Sequence, residues 1–597
     1  MRKLPTMKTA VYAEVPFVNG YEYTQGSGYV LPEFPFVAPP ELSSGEVPLH
    51  PIVIVGGGIT GLTLACCLAR LGQKAILLDE DNSVGVKGAS SRGICYTQKS
   101  LEIFHRLGIF DAIAAKGIRW SVGRTFAGED EVYSFDLSQQ ANFNLSTQPP
   151  FINIQQFYIE GFLAERTLQL GHVDLRWQSR VTAFEQNNDF ATLTIATPEG
   201  SYAVRALHVI DASGAHTPFR AWCGASVTAK KGDDRWCIAD VRFSQAPPIE
   251  RHTWVEAPFN ENRAVWQHLM ADSVWRIDYQ MAPNSDPAEV SREEVVRERL
   301  TRQFGPDTEV EIVWVGPYAY RSECIDHMRH GRVFFMGDSA KVVSPFGARG
   351  GNTGVADADN LAWKLAAVLR GQASERLLKS YHEERHEAST ENVLVTNRTA
   401  RFLRPADGIE RVFRHAAIAL AKRYAFARPL VNTGRMAVAN SYHFSSTCSN
   451  TGVPQGGFSL QNCGFQWRAS PRRAKARSAS PATGTVNDLL LWARGAHVVL
   501  LFGALHAKAR ADLKALSRAA PVLAVQVLAS GEVAQAVEHL YDETPSRQQS
   551  LRQACGLTEG VRAGTPWALV RPDSYIAATG QTVNGSLVQA VQKSLGI

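Results

Sequence analysis

The sequence has no metal-ligand or redox-cysteine spacing. Its nine cysteines are scattered apart from the adjacent Cys66-Cys67, with no C-x-x-C pair and no Cys/His cluster. That argues against a zinc centre, a dithiol redox centre and a disulfide framework, since an odd number cannot pair off completely. Cys66 and Cys67 fall inside an apolar helical stretch, where packing accounts for them. Long apolar runs are missing too, for none reaches the roughly 18 residues a membrane-spanning helix needs. The N-terminal stretch MRKLPTMKTAVYAEV has no apolar core followed by a small-residue cleavage site, so a cytoplasmic protein without membrane partner is expected. Charge of one sign is scarce: the net charge is +5 over 597 residues, and the basic side chains are spread, not striped, which speaks against a nucleic-acid partner. With 45% apolar content, the chain is long enough for about three or four globular domains.

The chain is organised around residues 51–81, PIVIVGGGITGLTLACCLARLGQKAILLDED. The run 52–55 reads as a buried strand, Gly56, Gly58 and Gly61 give G-x-G-x-x-G spacing, and 62–71 continue as an apolar helix. A second apolar run, 75–78, ends at Asp79. Such a unit turns so tightly that side chains are excluded at Gly56 and Gly58. Backbone N–H groups at the helix N-terminus are left for a pyrophosphate, and Asp79 is placed for ribose hydroxyls. A glycine triplet alone marks any tight α/β turn, but here strand, helix, second strand and terminal acid follow within one βαβ length.

Two later segments repeat the logic. The apolar run 207–210 ends in Asp211, followed by Ala-Ser-Gly, a second place where backbone approaches a ligand closely. In residues 331–371 a strand ends at Gly337-Asp338, a loop carries Pro345, Gly347, Gly350, Gly351 and Asn352, and 355–369 is helical. A loop of about fifteen residues with few side chains is costly to order unless something binds it. Around these landmarks the expected class is α/β. Residues 1–50 read as an extended arm, 51–224 with 323–410 as a discontinuous nucleotide-binding domain, and 225–322, with part of 125–150, as an inserted substrate sheet. Residues 411–483 read as a helical segment and a basic Pro/Ser linker, and 484–597 as a small α/β domain with three apolar strands.

In this order and combination the glycine sites resemble those of the group A flavoprotein monooxygenases, the family of p-hydroxybenzoate hydroxylase, over about residues 51–410. The C-terminal part is similar to the phenol-hydroxylase-like and 3-(3-hydroxyphenyl)propionate-hydroxylase-like subgroup, whose thioredoxin-like domain ends in a strand resembling ALVRPDSYIAA. The apolar strand 497–503 lacks a following C-x-x-C, which leaves packing or a homodimer contact as that domain's role. The resemblance implies a Rossmann-like FAD domain. It implies noncovalent FAD, with NADPH or NADH as a transient co-substrate, since a single dinucleotide fold is visible. The implied reaction is hydroxylation of a phenolic or N-heteroaromatic, acidic small molecule with O2 through a C4a-hydroperoxyflavin. It also implies that Asp338 binds the ribityl chain, Arg92 and Gln156 the pyrophosphate–ribityl region, and the Gly351-Asn352 backbone the flavin pyrimidine edge. Asp211 would stand near flavin and nicotinamide, and Pro345, Phe346 and Gly347 would wall the oxygen-reacting face.

Two departures stand out. The family's Gly-Asp-Ala-Ala-His reads Gly337-Asp338-Ser339-Ala340-Lys341 here, and its acid-glycine pair is interrupted by Ala212-Ser213. Lys341 is then solvated, paired with a phosphate or carboxylate, or placed to favour negative charge on reduced flavin or substrate. Substrate contacts are expected from 225–322. His268, Arg276, Tyr279 and Tyr318 are candidates, because strand alternation shows some of them to one face and an aromatic acid needs a cation and ring partners. A flavin-dependent halogenase, which shares the FAD domain and uses a lysine, is the competing enzyme reading; no W-x-W-x-I-P stretch supports it. A non-catalytic flavin-binding module is the third.

Overall fold

Strand Leu49–Val55 lies in the middle of an eight-stranded sheet. It pairs in parallel with Ala75–Leu78 on one side and Gly200–Asp211 on the other, and the parallel strands Val173–Arg176 and Val333–Phe335 extend the sheet outwards. Strands covered on both faces are apolar throughout, which is why residues 52–55 read as one unbroken run. The computed structural model describes residues 31–85, 93–140, 143–406, 408–431, 436–449, 456–468, 484–528, 538–541, 551–557 and 565–597. Helix Ile59–Arg70, buried from its first residue to Ala69, packs against helices Gln156–Leu170 and Gly350–Leu369. The last of these begins five residues earlier than the apolar spacing suggested, so Gly350, Gly351 and Asn352 belong to its first turn instead of a loop.

The arm is partly a packed element. Phe34 stacks on Trp177 with ring centroids 4.3 Å apart, and Glu41 of the short helix Pro40–Ser44 pairs with Arg176 at 3.0 Å. Residues 1–30 and most of the 470–484 linker lie outside the described residues.

A second eight-stranded sheet runs in the order Lys341–Val342, Val310–Ile325, Val227–Phe243, Trp275–Gln280, Arg263–Leu269, Arg251–Ala257, Val122–Ala127 and Asp130–Asp136. One face is closed by helix Glu293–Phe304 over Trp275, Ile277 and Tyr279. The other carries Trp236 and Trp266 against Phe346.

The C-terminal sheet has parallel strands His497–Phe502 and Val522–Leu528 beside an antiparallel pair, Trp567–Val570 and Ile576–Gly580. The single strand expected over 566–578 is therefore a hairpin. Its turn holds Arg571 and Asp573, both wholly buried. Arg571 donates to both carboxylate oxygens of Glu384 at 2.6 and 2.9 Å and pairs with Asp573, while Lys364 Nζ reaches Glu384 at 2.8 Å. Glu384 sits on helix Arg376–Leu403, so this dry ion cluster fastens the last sheet to the nucleotide-binding part. Among the described residues no helix is long and apolar enough to cross a membrane, and no group of His, Cys, Asp or Glu is arranged to hold a metal.

Candidate active site

The glycines divide into two kinds. A Cβ at Gly56, where φ is +107°, would lie 2.4 Å from the Ala212 carbonyl oxygen, and one at Gly61 would lie 1.9 Å from that of Gly56. These two are required by backbone packing. A Cβ at Gly58, the N-cap of helix Ile59–Arg70, meets nothing nearer than Glu160 Oε1 at 3.8 Å, and one at Gly351 meets nothing within 4 Å. Gly58 and Gly351 thus front open space at the N-terminal turns of two helices, where free N–H groups and helix dipoles favour an anion. The Gly337-Asp338 turn closes on the same place, for a Cβ at Gly337 or Gly354 would lie 2.6 or 2.2 Å from Thr60 Oγ1. All three motif segments lie together, and the open space beside their backbone N–H groups fits a dinucleotide.

The acids do less ligand-facing work than expected. Asp79 accepts from the Gly57 N–H at 2.5 Å and the Asp81 N–H at 2.9 Å, so part of its carboxylate braces the glycine turn. Asp211 is fully buried, accepts from Ser213 and Thr217 within its own turn, and is pushed up to about 6 by burial; it shapes the backbone and does not face a ligand. The interrupting Ala212-Ser213 supplies those partners. Asp338 is exposed at the tip of its turn, and its carbonyl accepts from Arg220 at 3.0 Å. The Asn352 side chain ties the helix start to Cys95 and Thr97, which leaves its backbone for the cradle. Arg92 lies outside the described residues.

Sequence reading missed Glu160. Gln156, one helical turn before it, donates to its Oε1 at 2.8 Å, and the same oxygen accepts the Ile59 N–H at 2.9 Å. Burial pushes its carboxyl up to about 7. Below that pH the group is neutral beside the helix N-terminus. Above it, a carboxylate competes with any phosphate there. FAD affinity, read by flavin fluorescence, is therefore expected to fall about tenfold between about pH 6 and pH 8, and Glu160→Gln to flatten the profile.

The second half of the site is the sheet face meeting the loop after Lys341. Phe346 is buried with its ring 5.0 Å from Trp266 and 6.0 Å from Trp236, both edge-to-face. Pro345 and Gly347 flank it, and Gly347 and Ala348 both take positive φ to make the bend. On strand Arg263–Leu269, His268 shares Trp266's face. Thr253 lies opposite Trp266, so Arg251, two residues earlier, points the same way. Arg251 is 5% exposed and stands 5.2 Å over the Trp266 ring. Among the described residues no carboxylate stands in ion-pair contact with it, Asp278 acting on it only from further off, and its one hydrogen-bond contact is Met436 Sδ at 3.4 Å. Its Nε, the Trp266 Nε1 and the His268 Nδ1 are buried without a hydrogen-bond partner. Arg251 and His268 also line one cleft with Trp120, Asn153 and Leu269. Burial first, then the nearby Arg251 and Arg276 charges, hold His268 well below the ordinary imidazole range, so it is neutral.

Strand alternation decides among the remaining candidates. Tyr279 pairs in register with Val265 and packs with Trp275 and Ile277 under the helix, its hydroxyl donating to Gln303 at 2.7 Å; it faces away from the site. Arg276 lies opposite His268 on the site face, but Asp278 balances it at 2.9 Å. Tyr318 lies opposite Trp236 and packs beside it.

Lys341 is neither solvated nor presented to the cradle. It is 2% exposed and ion-paired with Asp357, whose other oxygen takes Arg385 at 2.6 Å; Asp357 also accepts the Gly337 N–H at 3.0 Å. Burial alone would raise the Asp357 carboxyl, yet the two cations hold it below the usual range. Removing one partner of a buried pair is costly, so Lys341→Met is expected to lose about 3 kcal/mol in denaturant unfolding. The loss should narrow as pH falls through the depressed Asp357 titration, since a protonated Asp357 no longer needs the ammonium.

A dinucleotide cradle on a parallel sheet, with a buried aromatic loop facing a second sheet, defines an FAD-dependent oxidoreductase. The family model described as an FAD binding domain matches residues 50–396. A flavin-dependent monooxygenase of Mycobacteroides abscessus is 30% identical over 343 residues, which is 56% of this chain and 70% of that protein. By these matches the chain belongs to the flavin-dependent monooxygenases of the FAD-binding-domain family. A 3-(3-hydroxy-phenyl)propionate/3-hydroxycinnamic acid hydroxylase of Mycolicibacterium smegmatis is 26% identical over 60% of this chain, a match that spans 62% of the relative. The crystal structure of the flavin-dependent monooxygenase PieE in complex with FAD and substrate aligns over 92% of this chain and 99% of its own, with TM-score 0.74 and 20% identity, a likeness of fold.

Proposed function

We propose that this monooxygenase hydroxylates a phenolic or N-heteroaromatic ring carrying an anionic group, with NAD(P)H as the hydride source and O2 as the oxygen source. The observation that carries the reading is Arg251: a buried guanidinium with no ion-pair partner in contact, it shares with Arg276 the single charge of Asp278, and an anionic ligand would offset the surplus cation. The helix turns at Gly58 and Gly351 hold the dinucleotide through backbone N–H groups, with Asp338 at its edge. Bound FAD supplies the redox chemistry, taking up hydride and activating O2. Phe346, Trp236 and Trp266 exclude water and clamp the ring. Arg251 lowers the energy of a substrate carboxylate or phenolate, and the neutral His268 and the Trp266 N–H fix the ring's orientation. A halogenase reading loses its main support, because Lys341 is spent on Asp357. We also read the C-terminal sheet as a thioredoxin-like unit with a packing role.

The test is a screen of hydroxylated aromatic acids and N-heteroaromatics with the yellow holoprotein, recording NAD(P)H oxidation, H2O2 and product mass. A product heavier by one oxygen atom is expected. Oxidation of NAD(P)H with H2O2 alone for every ring tried would count against hydroxylation.

A further inference from the structure

The hairpin that carries His268 and Arg276 ends in a strained turn. His268 lies opposite Arg276, Leu269 lies opposite Trp275, and residues 270–274 make the bend. At its tip Asp272 and Ser273 take φ of +62° and +56°, left-handed backbone in two successive residues that are not glycine. Such strain persists only where surrounding contacts over-determine it. Here those contacts come from the nucleotide-binding part. Asn153 Nδ2 donates to the Leu269 carbonyl at 2.9 Å, Gln155 Nε2 to that of Ala271 at 3.0 Å, and the Tyr158 hydroxyl to Asp272 Oδ2 at 2.5 Å. Lys116 pairs with Asp272 Oδ1 and stands 4.6 Å over the Tyr158 ring. Met270, Ala271 and Val274 are wholly buried in the core of that same part. The substrate sheet is thus clasped by the nucleotide-binding part right beside His268 and Arg276.

The clasp is tied to the cradle through one helix. On Gln156–Leu170, Gln156 and Glu160 lie one turn apart, joined to each other, and Glu160 accepts the Ile59 N–H at the cradle. Tyr158 stands two residues from each, which at 3.6 residues per turn puts it on the opposite side of the helix. One helix therefore braces the cradle on one side and holds the hairpin tip on the other. We infer that Tyr158 and Asp272 are a positioning pair: their bond fixes the strands bearing His268 and Arg276 relative to the flavin cradle, so that the ring held on the sheet lies where oxygen is delivered. The inference rests on the substrate-face reading given above. Productive turnover puts one atom of O2 on the ring and releases the other as water for each NAD(P)H oxidised. A ring held out of place lets the same two electrons leave as H2O2, and misplacement by about 1 Å is enough to cost about 100-fold in rate.

The experiment sets Tyr158→Phe and Asp272→Gly beside the wild-type holoenzyme. Tyr158→Phe keeps the ring beneath Lys116 and removes only the hydroxyl, while Asp272→Gly relieves the left-handed backbone and removes the carboxylate. Both should keep FAD and the wild-type rate of NAD(P)H oxidation without a ring. With a ring that the screen shows to be hydroxylated, product per NAD(P)H should fall, H2O2 should rise to match, and kcat/KM for hydroxylation should drop about tenfold or more. Asp272→Asn still accepts from Tyr158 and tolerates the left-handed backbone, so it should recover most of the product yield. Hydrogen exchange, read without substrate, should quicken at the Met270 and Val274 amides that close the bend and stay unchanged over residues 52–61. Wild-type yield and kcat/KM in both variants overturn the inference, as does unchanged exchange at Met270 and Val274. So does a loss of yield that follows loss of FAD in step, for the clasp would then serve only the stability of the fold. Arg251→Met run alongside separates this inference from the reading beneath it. An unchanged KM for acidic rings there strikes the substrate-face assignment, whereas a raised KM there with wild-type yields in both clasp variants strikes the clasp alone.

Discussion

Gly58→Val protein will purify folded and colourless. The added side chain enters space that the fold leaves open, with only Glu160 Oε1 at 3.8 Å, so the apo chain has little to resist it. That space is where a helix N-terminus offers its N–H groups, and three carbon atoms there displace a pyrophosphate outright. Gly61→Val makes the contrast. Its Cβ would lie 1.9 Å from the Gly56 carbonyl oxygen, an overlap that only backbone movement relieves, so no soluble protein is expected. The pair is measured by circular dichroism and by FAD released on heating. Yellow Gly58→Val protein with ordinary FAD content would remove the cradle assignment.

Arg251→Met will separate binding from stability. A buried cation with no ion-pair partner in contact, left with a share of the Asp278 charge that Arg276 already holds, is a cost to the apo fold, so replacing it with an apolar chain of similar length should raise the apo melting temperature. The same change leaves a substrate anion unpaired in a dry cavity. Losing one side of such a pair costs about 2–5 kcal/mol, so kcat/KM for acidic substrates should fall by about 10²–10³, chiefly through KM, with neutral analogues much less affected. Rescue by Arg251→Lys should be partial, since an ammonium lacks the planar fork. Should the melting temperature drop and acidic and neutral substrates suffer alike, Arg251 is a structural residue and the anionic-substrate reading fails.

The half of the site built from backbone was legible in the sequence, because the constraint that places a phosphate also forbids side chains. Gly58 and Gly351 mark themselves for that reason, and Gly56, Gly61 and Gly337 because the turns that bring them there leave no room for a Cβ. The half built from side chains was legible as composition without direction. Alternation along strands 263–269 and 275–280 states that His268 and Tyr279 belong to a two-faced sheet. It does not state that the Val265–Tyr279 and His268–Arg276 register sends them to opposite faces. Arg251 carried no mark at all, since an arginine in a strand is ordinarily solvated or ion-paired, and only the fold shows that it is buried with no carboxylate in contact. Lys341 was noticed as a departure, yet its partner Asp357 sits sixteen residues away inside the helix read over 355–369, with nothing in the spacing to join the two. Glu160 was hidden in the same way, its effect depending on a helix terminus a hundred residues upstream.

The Arg571–Glu384–Lys364 cluster has a bearing on how the chain comes off the ribosome. Glu384 and Lys364 are buried charges on the helices that complete the nucleotide-binding core, and Arg571, which satisfies both Glu384 oxygens, is made nearly two hundred residues later. At about 5–20 residues per second, the nascent core waits on the order of ten to forty seconds with Glu384 held by Lys364 but without its two guanidinium bonds. Synthesis thus ends with a locking step: the hairpin at Arg571 closes a charge cluster left open by earlier helices. A nonsense change in the last sheet ahead of Arg571 removes this lock from the flavin-binding fold without touching a residue of it.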